Sequence, residues 1–211
     1  MKSIYVGIDP SINSSGVTCV VYDESELCDT QFFIIKPDKL TKRESEAEQK
    51  SLHMFTYVLY DKKQPKNKED NHEVEYMKSI WAIEVISKVY ECIRKFITKH
   101  IPAGAIFNLY VCQEGISYGS SIRTKSVMDL AGINYLLRDM VICRLHPDYY
   151  VIATPAEIKK KTSGMGNCKK EVMVNLFKAI FPTFDLPKLD DIADSYWMAM
   201  YVKYIIETQK S

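Results

Sequence analysis

The stretch of sequence that decides the fold lies at the start of the chain and reads Ile4-Tyr5-Val6-Gly7-Ile8-Asp9-Pro10-Ser11. It is a short apolar run that ends on an acid and passes directly into turn-forming residues, which is typical of a buried strand. A second apolar run, Val17–Tyr22, follows the turn chemistry of residues 11–16, and a third, Gln31–Ile35, follows a polar segment. Two close connections in succession predict an antiparallel meander of three strands.

Beyond residue 75 the apolar periodicity predicts helices alternating with strands. Residues 76–100 and 124–144 carry apolar side chains every three or four positions, as amphipathic helices do. Further strands are expected at 105–112 and 149–153, and further helices from about Lys169 to Phe181 and from Leu189 to Glu207. The strand 149–153 precedes Thr154 and Pro155, a good helix cap and first helical residue. This order predicts a single α/β domain over residues 1–211, built on a mixed five-stranded sheet flanked by helices.

Residues 37–75 interrupt that plan. They are rich in Lys, Glu, Gln and Asn, and only Met54–Tyr60 forms an apolar island among them. Polar segments of this kind lack the apolar surface needed to form a core. We therefore expect a charged insertion after the third strand, with one short ordered element and a mobile tip at Lys62–Asp70.

Bulk composition excludes several classes of protein and supports none strongly. The net charge is only +1, so binding to nucleic acid must be argued from local clusters. The six cysteines and four histidines are dispersed without ligand spacing, which argues against a zinc site and for reduced thiols. No signal peptide and no apolar run of ~20 residues is evident. These observations predict a cytoplasmic protein that is neither secreted nor in a membrane, located in the host-cell cytoplasm if the source is viral.

Four carboxylates stand out by their context. Asp9 closes the first strand and Glu114 closes the fourth, while Asp191 and Asp194 lie three residues apart on the last helix. If strands one and four are neighbours, Asp9 and Glu114 emerge side by side and the helix places its aspartates over them. Clustered carboxylates repel each other, and hard divalent cations such as Mg²⁺ or Mn²⁺ relieve that repulsion. A pair of such ions can activate water and stabilise a leaving oxygen in phosphodiester cleavage.

Each acid also has an ordinary structural interpretation. An aspartate at a strand end often caps a turn, and aspartates at a helix start favour the positive end of the helix dipole. The strand ending Gly7-Ile8-Asp9-Pro10 also occurs in phosphate loops of the actin and sugar-kinase type. That class needs two such domains, for which 211 residues are too few.

The motifs together resemble those of RuvC-type junction resolvases in bacteria, phages and poxviruses. Gly7-Ile8-Asp9-Pro10-Ser11 with Gly16 resembles the family's opening strand, and Thr154–Lys161 with Gly164-Met165-Gly166 its basic loop. Lys169-Lys170-Glu171-Val172 resembles the helix start that follows, and Leu189–Ser195 the closing helix. The resemblance covers most of the chain except residues 37–75, and the order of four motifs is more specific than any one of them.

The resemblance implies a ribonuclease-H-like fold and a homodimeric, metal-dependent endonuclease that nicks four-way (Holliday) DNA junctions symmetrically. It implies Asp9, Glu114, Asp191 and Asp194 as ligands for two Mg²⁺ ions, with Mn²⁺ as a substitute, and leaves Asp190 outside the pattern. The match at the active-site lysine falls on Lys169 first and Lys170 second. A C2 dimer suits paired nicks, and the stripe Leu130, Ile133, Leu137 and Met140 makes the helix 124–144 the candidate interface.

Basic and aromatic residues near the acids predict contacts with DNA. Five lysines and no acid lie between 159 and 170, in what we expect to be a mobile loop leading into a helix N-terminus. The ordinary alternative is a solvated surface turn. The predicted DNA-binding residues are Lys159, Lys160, Lys161, Lys170, Arg123, Lys125 and Tyr118, the last by stacking on bases unless it is a core tyrosine.

Two alternatives to junction resolution stay open. One is a less selective nuclease of flaps, forks or RNA hybrids on the same scaffold. The other is a junction- or RNA-binding scaffold that does not cut, against which the four intact acids count. A cleavage assay with Mg²⁺ separates cutting from binding alone.

Overall fold

The computed structural model describes residues 1–51, 54–115, 124–184 and 186–210, without the side chains of 124–128 and 210. The strands are β1 (Lys2–Asp9), β2 (Ser15–Asp23), β3 (Glu26–Pro37), β4 (Phe55–Tyr60), β5 (Asn108–Glu114) and β6 (Tyr149–Ala153). The helices are α1 (Lys42–Lys50), α2 (Asn71–His100), α3 (Thr124–Met140), α4 (Pro155–Ser163), α5 (Lys170–Ile180) and α6 (Leu189–Lys210). A π-helical turn, Val141–Leu145, extends α3.

The strands form one mixed sheet in the order β4-β3-β2-β1-β5-β6. β2 is antiparallel to both β1 and β3, as the predicted meander requires. By contrast, β4 runs parallel to β3, and β6 runs parallel to β5. β5 also pairs in parallel with β1. All strands except β2 therefore end at the same edge of the sheet.

Helices cover both faces of the sheet, because the strand side chains alternate between two apolar layers. Ile4, Val6 and Ile8 pack with α2 and α3 on one face. Tyr5 and Val20 pack with α6 on the other face, where α1 and α5 also lie against the sheet. This three-layer α/β arrangement is the predicted architecture.

The predicted strand count was wrong by one, because the insertion contributes to the sheet. β4 extends it beyond β3, with Phe55, Tyr57 and Tyr60 buried, and α1 is a second ordered element with a capping box at Thr41 and Glu44. A few apolar residues in a polar segment suffice here because β3 offers them an open edge.

Three of the four apolar residues proposed as a dimer interface on α3 belong to the core. Ile133 and Leu137 are each 1% exposed and Met140 is 4% exposed, so they cannot meet a partner. The outward face carries Leu130, Tyr135 and Leu136. No helix in the described part of the chain combines the length and apolar character that crossing a bilayer requires.

Candidate active site

Two carboxylates meet at the edge where the parallel strands end. Asp9 is the last residue of β1 and Glu114 the last of β5, and the register pairs Ile8 with Gln113, one residue before each acid. The two carboxyl groups contact each other, and burial together with the negative charge of Glu114 raises the pKa of Asp9. The predicted juxtaposition of Asp9 and Glu114 is therefore observed.

The helix α6 reaches this edge because two glycines let it approach the sheet. A Cβ atom on Gly7 would lie 1.9 Å from the carbonyl oxygen of Ser195, and one on Gly16 would lie 2.2 Å from that of Asp191. The hydroxyls of Thr18 and Ser195 are hydrogen-bonded at 2.8 Å across the same contact. The requirement for glycine at positions 7 and 16 is thus close approach of a helix backbone.

This approach brings Asp191 and Asp194 to the strand ends. The negative charges of both aspartates contribute to raising the pKa of Asp9, which places them within electrostatic reach of it. The Ser14 hydroxyl donates a hydrogen bond to Asp191 Oδ2. Ser14 was not among the predicted residues, although the turn chemistry after Asp9 is the signal that pointed to this loop.

Burial raises the pKa of all four acids. Asp9 is affected most, by desolvation first and then by the negative charge of Glu114. Burial is also the largest cause of the raised pKa of Glu114, Asp191 and Asp194. The cluster consequently resists full ionisation unless positive charge is supplied to it.

Lys170 is the basic residue in contact with these acids. Its Nζ lies 3.1 Å from Asp194 Oδ2 and 3.1 Å from Asp190 Oδ2. Burial by itself would lower the pKa of Lys170, but the two aspartates outweigh it and raise the pKa. Lys169, the first choice from sequence, is the N-cap of α5 and makes no capping hydrogen bond with its side chain. Asp190, outside the family pattern, is engaged with Lys170.

Beside the acids lies a cavity of about 210 Å³. Its walls are formed by Glu114, Pro155, Ile158, Lys159, Lys170, Met173, Asp194 and Met198. Two lysines and two carboxylates line it together with the apolar side chains of Pro155, Ile158, Met173 and Met198. The predicted contact residue Lys159 therefore lies next to the acid cluster.

The lysine stretch 159–170 is not the loop that its composition suggested. Lys159, Lys160 and Lys161 lie on α4, which begins with a capping box of Thr154 and Glu157 and ends at Gly164 in the left-handed conformation. The helix spreads the three lysines around its surface. Lys159 faces the cavity, whereas Lys161 lies over the ring of Tyr204, with Nζ 2.9 Å from the ring centroid.

Three predicted contact residues fall wholly or partly outside the described part of the chain. Tyr118 and Arg123 lie outside the described residues, and the side chain of Lys125 does too, although its backbone belongs to the start of α3.

The donor chemistry of the cluster suits divalent cations. Carboxylate oxygens are the ligands that Mg²⁺ and Mn²⁺ prefer, and the negative charge of Glu114 raises the pKa of Asp9, a repulsion that a cation would relieve. Within the described residues, no three His, Cys, Asp or Glu side chains are already arranged to hold an ion. Lys170 engages Asp194 and Ser14 engages Asp191, so binding would require these side chains to turn toward the strand ends.

Comparison with solved structures identifies the fold, while no family model and no curated protein matches the sequence. The RuvC structure from Thermus thermophilus is 14% identical, with a TM-score of 0.52, and the match covers 99% of this chain and 97% of that one. T. thermophilus RuvC in complex with a Holliday junction substrate is 13% identical, with a TM-score of 0.53 and coverage of 99% and 96%. The yeast mitochondrial Holliday junction resolvase Ydc2 is 12% identical, with a TM-score of 0.46 and coverage of 97% and 82%.

The match to T. thermophilus RuvC runs along nearly the whole of both chains. The resemblance stated from the motifs is confirmed at the level of architecture. The chain has the ribonuclease-H-like fold of the RuvC-type junction resolvases.

Proposed function

We propose that the protein is a divalent-metal-dependent endonuclease that cuts four-way DNA junctions by paired, symmetric nicks. The observation that carries this proposal is the convergence of Asp9, Glu114, Asp191 and Asp194 at one sheet edge, beside a cavity lined by Lys159 and Lys170. Four partly buried acids with raised pKa values are costly to maintain in a fold, which favours a functional reason for them. The T. thermophilus protein whose fold this chain shares has a Holliday junction as its substrate.

The four acids would hold two Mg²⁺ ions, for which Mn²⁺ would substitute. Bound there, the ions supply activation of a water molecule and stabilisation of the leaving oxygen in phosphodiester hydrolysis. Bound cations would favour the ionised form of Asp9 and Glu114, because positive charge lowers the pKa of a carboxyl group.

The lysines would act on the phosphate backbone. Lys159 lines the cavity, where its ammonium group can contact a phosphate. When a cation binds Asp194, Lys170 would lose its contact with Asp194 and keep its ion pair with Asp190. That ion pair holds the Lys170 ammonium group beside the scissile phosphate. A cation held there meets the negative charge that develops in the transition state.

A homodimer completes the proposal. One cluster of acids cuts one strand, whereas resolving a four-way junction needs two related nicks, which a C2 dimer provides. The outward face of α3, with Tyr135 and Leu136 exposed, is the surface we assign to the contact between subunits.

The test is incubation of the purified protein with synthetic four-way, forked and linear DNA of matched length, each with Mg²⁺, Mn²⁺ or EDTA. We expect metal-dependent, symmetric cuts in the four-way junction and little cleavage of linear duplex. Equal cleavage of forks and junctions would replace the proposal by a less selective nuclease. Tight binding without cutting under any metal would replace it by a scaffold.

Isosteric variants connect that activity with the acids. Asp9→Asn, Glu114→Gln, Asp191→Asn and Asp194→Asn each remove a ligand charge with little change of shape, so each should abolish cleavage and retain junction binding. Asp190→Asn, on the same helix turn, removes a charge that is not a proposed ligand, and we expect it to lower cleavage without abolishing it, because it weakens only the ion pair with Lys170. Loss in Asp190→Asn with full activity in Asp191→Asn would show that the ligand has been misassigned.

A further inference from the structure

A lysine-rich segment of the insertion lies at the same edge of the sheet as the acid cluster. The register places Asp9 opposite Gly16, Gly16 opposite Ile34, and Ile34 opposite Tyr57. β4 continues in the same direction as β1 and ends at Tyr60. The chain that follows, residues 62–68, which we term the lysine segment, therefore emerges at the catalytic edge.

The lysine segment contacts the loop that follows Asp9. The Tyr60 hydroxyl, just before the segment, donates a hydrogen bond to the carbonyl oxygen of Ile12. Lys62 Nζ donates to Asn13 Oδ1 at 2.7 Å. The next residue, Ser14, donates to Asp191. A single loop thus separates the lysine segment from one of the proposed metal ligands.

Hydrogen bonds to α2 fix the path of this segment. Trp81 Nε1 donates to the carbonyl oxygen of Lys63 at 2.9 Å. The Glu73 carboxylate accepts the backbone N–H groups of Lys66 and Asn67 at 2.8 and 2.9 Å, and Pro65 is buried. The tip that composition predicted to be mobile is therefore attached to the fold at several points.

The charge of this segment is one-sided. Residues 62–68 contain four lysines and no acid. The side chains of Lys63 and Lys68 are exposed, and neither takes part in an ion pair between described residues. Lys66 interacts electrostatically with Glu73, and Lys62 is hydrogen-bonded to Asn13. Lys63 and Lys68 are thus the cations available to a ligand.

Lysines on a protein surface are usually only solvated, but two features distinguish Lys63 and Lys68. The backbone beneath them is held in place, which lowers the entropy lost when a ligand is bound. They also lie on the β4 side of the acid cluster, whereas Lys159 lies on α4, in the wall of the cavity beside Glu114 and Asp194. The acids are consequently flanked by cations on both sides.

We propose that the lysine segment is a second contact surface for the DNA backbone, with Lys63 and Lys68 binding phosphates on the side of the acid cluster away from α4. This inference rests on the proposed function, because it takes branched DNA as the ligand. It gives the insertion a role: a strand that crosses the acid cluster is held at both ends, and a junction arm rests against the insertion.

The test is the salt dependence of junction binding by the full-length protein, with Ca²⁺ in place of Mg²⁺ so that the DNA is not cut. The variant is the double substitution Lys63→Ala/Lys68→Ala. The matched control, Lys95→Ala/Lys178→Ala, removes two exposed lysines near the ends of α2 and α5. We expect the slope of log K against log[salt] to become shallower by about 0.9 for each phosphate contact removed, in the variant but not in the control.

The outcomes separate this inference from the function on which it rests. If the wild-type protein binds and cuts junctions but the double variant keeps its affinity and slope, the lysine segment is a solvated surface and the inference is overturned. An equal change in the control would overturn it too, since it would reflect net charge alone. Wild-type protein that fails to bind branched DNA would overturn the proposed function and this inference together. Thermal unfolding of both variants checks that the fold is retained.

Discussion

The carbonyl oxygen of Asp191 lies 2.2 Å from the position that a Cβ atom on Gly16 would occupy. No other side chain fits at position 16 without moving the first turn of α6. That turn carries Asp191, a proposed metal ligand. The absence of a side chain at Gly16 therefore allows this aspartate to come close to Asp9. The geometry of the acid cluster therefore depends on a residue that has no chemistry of its own.

We predict that Gly16→Ala destabilises the protein and impairs cleavage. The added methyl group must push the α6 backbone away or distort β2, and overpacking of this kind costs about 1–3 kcal/mol. Urea unfolding would measure the loss of stability, and single-turnover cleavage of a four-way junction the loss of activity.

Gly132 offers the matched control for Gly16. It lies within α3, and a Cβ there would meet nothing within 4 Å. Alanine at an open helical position is more favourable than glycine by roughly 1 kcal/mol. Gly132→Ala should therefore raise stability and leave cleavage unchanged. An active, fully stable Gly16→Ala protein would contradict the close approach of α6 to the sheet.

A second prediction separates two adjacent lysines. Lys170 contacts Asp194 and Asp190, whereas Lys169 is a capping residue of α5 with an exposed side chain. Lys170→Met keeps the length of the side chain but removes its charge, so it should lower the single-turnover rate by about 10²–10³. Lys169→Met should change that rate by less than a factor of about 10. An equal loss of rate in both variants would mean that the positive charge at the start of α5 matters, and not the contact of Lys170 with Asp194.

A third prediction follows from the raised pKa of Asp9. In the unfolded chain Asp9 ionises at its ordinary pKa, whereas burial and the charge of Glu114 raise its pKa in the folded protein. The folded state therefore binds the proton more tightly, and the stability gained from it is present at low pH and lost as the pH rises. Asp9→Asn, which is always neutral, avoids that loss.

Without divalent metal, Asp9→Asn should unfold at a higher temperature than the wild type at pH 7. The difference should shrink as the pH falls toward the ordinary pKa of an aspartate, because the Asp9 carboxyl of the folded wild type, whose pKa is raised, is by then protonated. Addition of Mg²⁺ should stabilise the wild type more than the variant, since a ligand raises stability only in the protein that binds it. Thermal melts with EDTA or Mg²⁺ across this pH range would check both statements, and equal melting at pH 7 with EDTA would contradict the first.

The parts of the fold that follow from periodicity could be predicted from the sequence. The strands that end in Asp9 and Glu114 and the helix that carries Asp191 and Asp194 were expected, because a short apolar run and a three-residue helical spacing are local patterns. β4 was only partly foreseen. Its residues form a strand because β3 leaves an edge open, and the sequence of 55–60 carries no information on that edge.

Choices between neighbouring residues could not be made from the sequence. Lys170 is the first residue of α5 and Lys169 its extended N-cap, and only the position of α5 against α6 decides which of them reaches Asp194. In α3, apolar residues occupy both the inner and the outer face. The inner residues Ile133 and Leu137 were for this reason taken as a contact surface, although they belong to the core.

The last prediction concerns that outer face. Tyr135 is 63% and Leu136 43% exposed, and Ile142, one or two turns further along, is 53% exposed. Tyr135 and Leu136 are neighbours on the exposed side of α3, and an exposed apolar patch often marks a contact between subunits. If α3 forms the dimer contact, Leu136→Glu places a charge in it and should shift the protein from dimer to monomer in sedimentation equilibrium. A control substitution, Ile180→Glu, adds the same charge to a residue 50% exposed at the end of α5 and should leave the assembly unchanged.

The monomeric variant should still nick a junction, since its acid cluster is intact, but the two nicks should become independent rather than paired. A wild-type protein that sediments as a monomer, both free and with junction DNA, would contradict the dimer, and a dimer untouched by Leu136→Glu would move the contact away from α3.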